Sequence, residues 1–479
     1  MYSQLVALSH LLFSGNEADN AKLKENPNQA FGGIAKQSKL VLMNMRERPY
    51  LVADFADFLG PGILFPGNTT ATPQLTKPVL QVSTDYTGLS SDGSYFAEGN
   101  VGMRAYAVAY SQAKLQEDLL PNYAIVNNSL SFGGFVLNET WATQRINTYR
   151  DQLGLLFHPF GYGGTSTGVN RVFQKLVISV PTNSVANTPE LTDPKQLPLY
   201  YTTRSGPAAL ALATARFFHA FGWKKAAFIY SEGTEDIAFY ENFVNVSAQY
   251  DIEIVNDQQH RFIPFAFASV NKQLNETLRH IMASSVRILI IAHPVSFLLV
   301  ERLYDLGARP GDFLICLFYG LSYSLYAGSD TSFWKRRQVI KGAMMFYDRY
   351  FIGKEGSYVR KLLFEADGLN YDPVSCALYD SVMLLLQALK FMLMSGLHYE
   401  DGYALMQQIR NSRLIGCLGA LQLGKGSNER TPGDYSILNA KYDEEKDTLV
   451  LEDAAVYSPV KVQMYNISSE IMFPDGSSQ

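Results

Sequence analysis

From Lys77 onward the chain alternates short runs that are apolar at nearly every position with longer stretches whose apolar residues recur every three or four positions. The short runs are Val79–Thr84 (VLQVST), Tyr123–Asn128 (YAIVNN), Leu153–Phe160 (LGLLFHPF), Lys175–Pro181 (KLVISVP), Ala226–Ser231 (AAFIYS), Val286–His293 (VRILIIAH), Phe313–Gly320 (FLICLFYG) and Gly342–Tyr347 (GAMMFY). They predict parallel strands covered by helices on both faces, since a strand buried on each side needs no polar alternation. The stretches between them predict helices with definite ends. In SGPAALALATARFFHAFGW, Ser205 stands near the cap, Pro207 in the first turn and Gly222 just past the end. Ala209, Leu212, Ala213, Ala215 and Phe218 are its expected buried stripe. A second helix starts on Pro294 and stops at Gly307, and the longest, YDPVSCALYDSVMLLLQALKFMLMSG, stops near Gly396. The fold class is therefore α/β, with parallel sheets flanked by helices.

Two segments interrupt the pattern. Val180–Tyr201 holds four prolines and no periodicity, and Leu89–Asn100 is polar and punctuated by glycine. Residues 1–76 differ again: a short helix in MYSQLVALSHLLFSG, a polar stretch, a second helix around Ala30–Arg48, then a Pro/Gly/Thr-rich linker. They read as a mostly helical extension that ends at a domain boundary near residue 75.

Composition narrows the function classes. At 479 residues the chain exceeds one ordinary core, so two or three packed units are expected. A net charge of −5, with no basic stripe interleaved with aromatics, argues against nucleic acid as a partner. The cluster Lys335-Arg336-Arg337 reads as a solvated turn or helix end. No run reaches the roughly 18–20 uninterrupted apolar residues that cross a bilayer, and Val382–Met394 reads as a core helix. Its methionines are ordinary gap-fillers rather than a cofactor box. The three cysteines, Cys316, Cys376 and Cys417, are too scattered for a disulfide framework or a zinc site. Sequons at Asn68, Asn127, Asn138, Asn245, Asn275 and Asn466 are glycosylation candidates that mildly favour an extracellular or lumenal setting.

Candidate chemistry concentrates at FGYGGTSTGVN, where Gly164-Thr165-Ser166-Thr167-Gly168 matches the G-x-S-x-G pattern of a nucleophile elbow. A serine hydrolase using Ser166 needs an acid and then a histidine later in the chain. His219, His260, His280, His293 and His398 are available, and none has a spacing that singles it out. A dinucleotide or P-loop site fails because Ser166 replaces the last glycine and no lysine follows, so no cofactor is expected. A third reading needs no catalysis. The loop aims backbone N–H groups and a helix dipole at one point, and Thr165, Ser166 and Thr167 add hydroxyl donors suited to a carboxylate. A plain polar turn is the bland alternative.

Taken in order, the blocks resemble the type I periplasmic-binding-protein-like family, which includes amino-acid-binding proteins and the ectodomains of metabotropic glutamate, GABA-B and natriuretic-peptide receptors. The blocks are VLQVSTDYTG, GMRAYAVAY, HPFGYGGTSTGV, VISVPTNSVANTPELTD, LYYTTRSGP, FHAFGWKKAAFIYSE, VRILIIAHPVSFLLVERLYDLG, ALYDSVMLLLQAL and IGCLGALQLGKGSNERTPGDYSILN. Together they cover about Lys77–Gln479. The resemblance implies two Rossmann-like lobes, 77–204 with 345–410 and 205–344 with 411–479, joined by a multi-crossover hinge. It implies a small-molecule ligand between them, signalling by lobe closure, and a homodimer or larger assembly through lobe 1. By motif, Gly164 to Thr167, with Ser166 at the centre, take the carboxylate-holding place. Ser184, Asn187 and Thr188 fall where small and hydroxyl residues hold the rest of an amino acid. Tyr230, Ser231 and Glu235 face them from lobe 2. His293 and Tyr319 end the next two strands and face the cleft. An acid at 235 departs from the aromatic residue that amino-acid binders carry there. The tyrosines also read as aromatic fill, His293 as a backbone-bonded ring, and Glu235 as a first-turn helix acid. That departure, and the absence of a lobe-1 cysteine pair, leave a ligand-free structural or assembly subunit as the alternative function.

Overall fold

The computed structural model describes residues 79–85, 108–109, 120, 124–130, 157–158, 181–183 and, with short breaks of which 319–330 is the longest, 187–474. The N-terminal extension, the Leu89–Asn100 loop and the Gly164–Gly168 loop lie outside these residues. Five parallel strands form the first sheet: β1 (Val79–Asp85), β2 (Ala124–Leu130), β3 (Phe157–His158), β4 (Thr182–Asn183) and β5 (Tyr200–Tyr201), in the order β2-β1-β3-β4-β5. A single turn, α1 (Pro189–Thr192), stands between β4 and β5.

The second sheet is built from α2 (Pro207–Ala220), β6 (Lys225–Tyr230), α3 (Thr234–Ser247), β7 (Glu253–Ile254), α4 (Phe267–Ala283), β8 (Ile288–Ala292), α5 (Ser296–Asp305), β9 (Leu314–Phe318), α6 (Thr331–Ile340) and β10 (Met344–Asp348). Its parallel strands run β7-β6-β8-β9-β10. In both sheets the first strand therefore lies between the second and third, which makes a topological switch point at β1/β3 and another at β6/β8.

The apolar runs have the expected cause. Ala227, Ile229, Leu289, Ile291, Ile315 and Leu317 point into one buried core with Leu278 and Ile281 of α4 and Leu303 of α5. Their neighbours Phe228, Ile290, Cys316 and Phe318 point into another with Phe217 and Phe218 of α2 and Phe239 and Phe243 of α3. The sheet is a double-faced layer, and each face buries its own half of the alternation. Helix ends fall where their punctuation predicts: Gly307 and Gly396 hold φ of 106° and 66° just past α5 and the longest helix. The buried arc of α2 is wider than its predicted stripe. Leu210 and Phe217 are buried while Ala209 and Leu212 are half-buried, because α2 packs against both the sheet and α3.

After β10 the chain returns to the first core. There α7 (Gly353–Asp367), α8 (Pro373–Met394), α9 (Gly402–Asn411) and the hairpin β11 (Leu414–Gly416)–β12 (Gly419–Leu421) pack with Leu199 and Tyr201. Helix α8 has the length and apolarity of a membrane span, yet 78% of its apolar window is buried inside the fold. It is apolar all round because the core surrounds it. The Tyr201 hydroxyl donates to the Ser381 carbonyl at 3.0 Å, and that of Thr203 to the Ala377 carbonyl at 2.5 Å, which pins α8 beside β5.

The chain then crosses back as β13 (Tyr435–Asp443), β14 (Thr448–Ser458) and β15 (Gln463–Tyr465), which extend the second sheet beyond β10, each antiparallel to the strand before it in the sheet. The second sheet is thus mixed rather than wholly parallel. These three strands escaped the apolar-run criterion because charged and apolar residues mingle in them, as in the KYD end of β13.

Two sequence readings are overturned. Cys376 and Cys417 form a disulfide across 41 residues, because α8 and the β11–β12 turn meet in the core; sequence distance hid a contact that topology makes. Cys316 stays a free buried thiol on β9. The Lys335–Arg337 cluster does fall toward a helix end, that of α6, but it is not merely solvated. Lys335 pairs with Asp305 at 2.7 Å, Arg336 is buried against Glu301 at 3.3 Å, and Arg337 covers the Tyr442 ring at 4.6 Å.

Candidate functional site

Ligands of open α/β sheets bind at the carboxyl ends of strands beside a switch point, because neighbouring connections there leave to opposite faces and open a crevice. At the second sheet those ends are Tyr230–Ser231 after β6 and His293 after β8, held together by Ser231 N donating to the Ala292 carbonyl at 3.2 Å. Ser231 shapes the turn into α3. Its hydroxyl donates to the Asp236 carboxylate and accepts from the Gly233 N–H at 3.0 Å. Asp236 is buried, and burial raises its carboxyl well above the usual carboxylate range.

The first turn of α3 also presents Glu235. The carboxylate of Glu235 lies 3.3 Å from Arg204 Nη1, and both side chains are nearly buried. Arg204 reaches it from the segment that follows β5. Its carbonyl accepts from Asn187 Nδ2 at 3.1 Å, and Asn187 is itself fully buried. Burial raises the Glu235 carboxyl, opposed by Arg204 and by the Asn187 amide, and reinforced by Asp348. Thr188 accepts from the Leu191 N–H at 3.3 Å as the cap of α1.

Asn187, Thr188, Ser231 and Glu235 are thus all buried, and Asn187 and Glu235 converge on Arg204, which the sequence reading did not name. The signal for Arg204 was in LYYTTRSGP: a lone cation directly before a helix start, where the dipole offers it nothing. Tyr230 stacks on Tyr240 at 4.5 Å and sits edge-on to Phe262. His293 is buried, with Nε2 3.1 Å from the Ile263 carbonyl; burial lowers it to about 4, so it is neutral at neutral pH. Gly164, Thr165, Ser166 and Thr167, which follow β3 at the other switch point, lie outside the described residues, as do Ser184 and Tyr319.

Three segments pass between the two cores beside this cluster. Thr202 N donates to the Asn428 carbonyl at 2.9 Å, and Arg349 N to the Asp434 carbonyl at 2.8 Å, which aligns the segments 202–206, 349–352 and 428–434. Asp348 and Tyr435 are cross-strand neighbours where two of them emerge. Glu429 lies against Gly206 and the Asn187 side chain, and burial raises its carboxyl. Asp348 Oδ1 and Asn187 Oδ1 are buried acceptors with no donor among the described residues. Among the described residues, buried acceptors thus gather around the Arg204 guanidinium.

Among the sequons, Asn245 is exposed on α3, Asn275 is half-buried on α4 and Asn127 lies on β2, while Asn68, Asn138 and Asn466 lie outside the described residues.

A model of the receptor family ligand binding region matches residues 165–443, from inside the Gly164–Gly168 loop to the end of β13. No curated protein matches the chain.

Proposed function

The chain belongs to the receptor family whose ligand binding region it matches over more than half its length, and from that premise we propose that it is a non-enzymatic receptor or binding-protein domain for a small polar ligand, an amino acid or related carboxylate. The ligand sits between two lobes. We assign lobe 1 to the first sheet with α7–α9 and the β11–β12 hairpin, and lobe 2 to the second sheet. Residues Met344–Asp348 go to lobe 2 because they form one of its strands.

The supporting observation is the convergence of Asn187, Arg204 and Glu235 beside the crossing segments. The ligand's ammonium meets the acceptors Asp348 and Asn187, and its carboxylate meets the hydroxyls of Thr165, Ser166 and Thr167. Arg204–Glu235 joins the lobes when they close, so a ligand that favours the closed form shifts that population. The domain works outside the cell or in a lumen, with Asn245 the best-exposed described glycosylation candidate, and pairs through lobe 1.

Thermal-shift screening of the twenty amino acids and small dicarboxylates tests this reading. A ligand should raise the melting temperature of the wild type, and Ser166→Ala with Thr188→Ala should abolish the shift. If no compound stabilises the fold and Ser166→Ala alone melts like the wild type, the scaffold reading replaces it. That reading draws on the same Arg204–Glu235 contact, which fills part of the cleft with the protein's own side chains. Labelling of Ser166 by a serine-reactive phosphonate would revive the hydrolase instead.

A further inference from the structure

Away from the cleft, the loop between β7 and α4 and the last turn of α4 bring together an unused group of side chains. Asp257, His260 and His280 each offer one nitrogen or oxygen, and these three atoms lie within 4.8 Å of one another. We propose that Asp257, His260 and His280 form a binding site for a divalent transition metal, with zinc the best-matched ion.

The donor set carries the assignment. Two imidazoles and one carboxylate form the borderline ligand set that zinc takes, with water completing the tetrahedron. Zinc bonds of about 2.0–2.2 Å put neighbouring ligand atoms roughly 3.3 Å apart, so side-chain rotation alone, with no backbone movement, closes the site. His260 and His280 are stacked, with ring centroids 3.9 Å apart and planes at 6°, so one ring turns out of the stack to bring both in-plane lone pairs onto a shared ion. The Asp257 carboxylate is 2.7 Å from His260 Nδ1 and also accepts the His260 N–H at 3.0 Å.

The scaffold is firm on both sides. His280 occupies the last turn of α4. The loop is held to β6 by buried Asn256, which accepts from Phe228 N at 2.8 Å and donates to the carbonyls of Phe228 at 2.9 Å and His260 at 2.8 Å. A backbone ladder then leads to the cleft. Tyr230 N donates to the Arg261 carbonyl at 2.8 Å, and Ile263 N to the Tyr230 carbonyl at 3.0 Å. A metal here clamps α4 to the loop that borders Tyr230, and stiffens the cleft edge of lobe 2. All of these contacts lie within lobe 2, so the metal site stands whatever the cleft binds.

The test is isothermal titration of zinc chloride into the untagged, chelator-treated full chain, with cobalt(II) absorption as a spectroscopic check. One ion per chain should bind with a dissociation constant of about 10 µM or tighter. His280→Ala and His260→Gln should each weaken it at least about tenfold and erase the cobalt bands. Asp257→Asn keeps an acceptor for the His260 N–H while losing the anionic ligand, and should weaken binding without changing the metal-free melting temperature. His398→Ala, in an exposed turn of the other core, should bind as the wild type does. No uptake by the folded wild type at ~100 µM zinc, or uptake unchanged in the histidine variants, overturns the assignment.

Discussion

Replacing Arg204 by methionine would leave the Glu235 carboxylate buried without its nearest counter-charge. At the 3.3 Å separation in the structure the attraction is ~5 kcal/mol in an effective dielectric of about 20. Breaking such a pair from one side costs about 3–5 kcal/mol, because the remaining charge stays desolvated. The reverse substitution behaves differently. Burial outweighs Arg204 in raising the Glu235 carboxyl, so the site as a whole disfavours the ionised acid relative to water. Glu235→Gln removes both the attraction and the larger cost of burying the charge, and should change stability by no more than about 1 kcal/mol in either direction. The double variant should recover most of the loss seen in Arg204→Met. The pH dependence has a definite sign. A carboxyl raised in the folded state contributes stability that is present at low pH and lost as pH rises through its folded value. In Arg204→Met that value rises further, so the deficit relative to wild type should be smaller at pH 5 than at pH 8. Urea denaturation of the four proteins at both pH values measures this. An equal loss from Glu235→Gln and Arg204→Met, or a deficit that ignores pH, would refute the reasoning.

Four further outcomes test the frame that carries the site. Asp380 accepts the N–H groups of Cys417 at 2.6 Å and Leu418 at 2.9 Å, so Asp380→Ala should cost about 2–6 kcal/mol by orphaning two buried donors, read from the denaturation midpoint. Because burial raises Asp380 to about 7, its stabilising contribution in wild type should decline as pH climbs from about 4 to 7, and Asp380→Asn should flatten that decline in the melting profile. Replacing Cys376 and Cys417 by serine opens a loop of 41 residues and should cost at most about 4 kcal/mol in the chain-entropy account, while reductant should leave the variant's melting unchanged. Gly342→Ala places a methyl within 2.7 Å of the Phe473–Pro474 backbone at a φ of 80°, and should lower stability by about 2 kcal/mol or more in the same assay; a neutral result would show that the 471–474 segment yields.

How much of this was legible before folding depended on whether the cause was local. The runs AAFIYS, VRILIIAH and FLICLFYG announced strands because both faces of each are buried, and Gly307 and Gly396 announced helix ends because only glycine takes those φ values cheaply. Family and fold class were readable from the order of such blocks, since each is a short-range pattern repeated along the chain. The resemblance pointed to Asn187 and Glu235, and the fold brings both to Arg204, which the resemblance did not name. What joins Arg204 to Glu235, Cys376 to Cys417, Asp380 to the β11–β12 turn, and His260 to His280 is chain topology. Each of these contacts closes a loop whose ends carry no mark of one another in the sequence. Local propensity chose the elements of this protein. Only the packing of two sheets and three crossing segments decided which polar groups lose water together, and therefore which carboxyls are raised and which charges must pair.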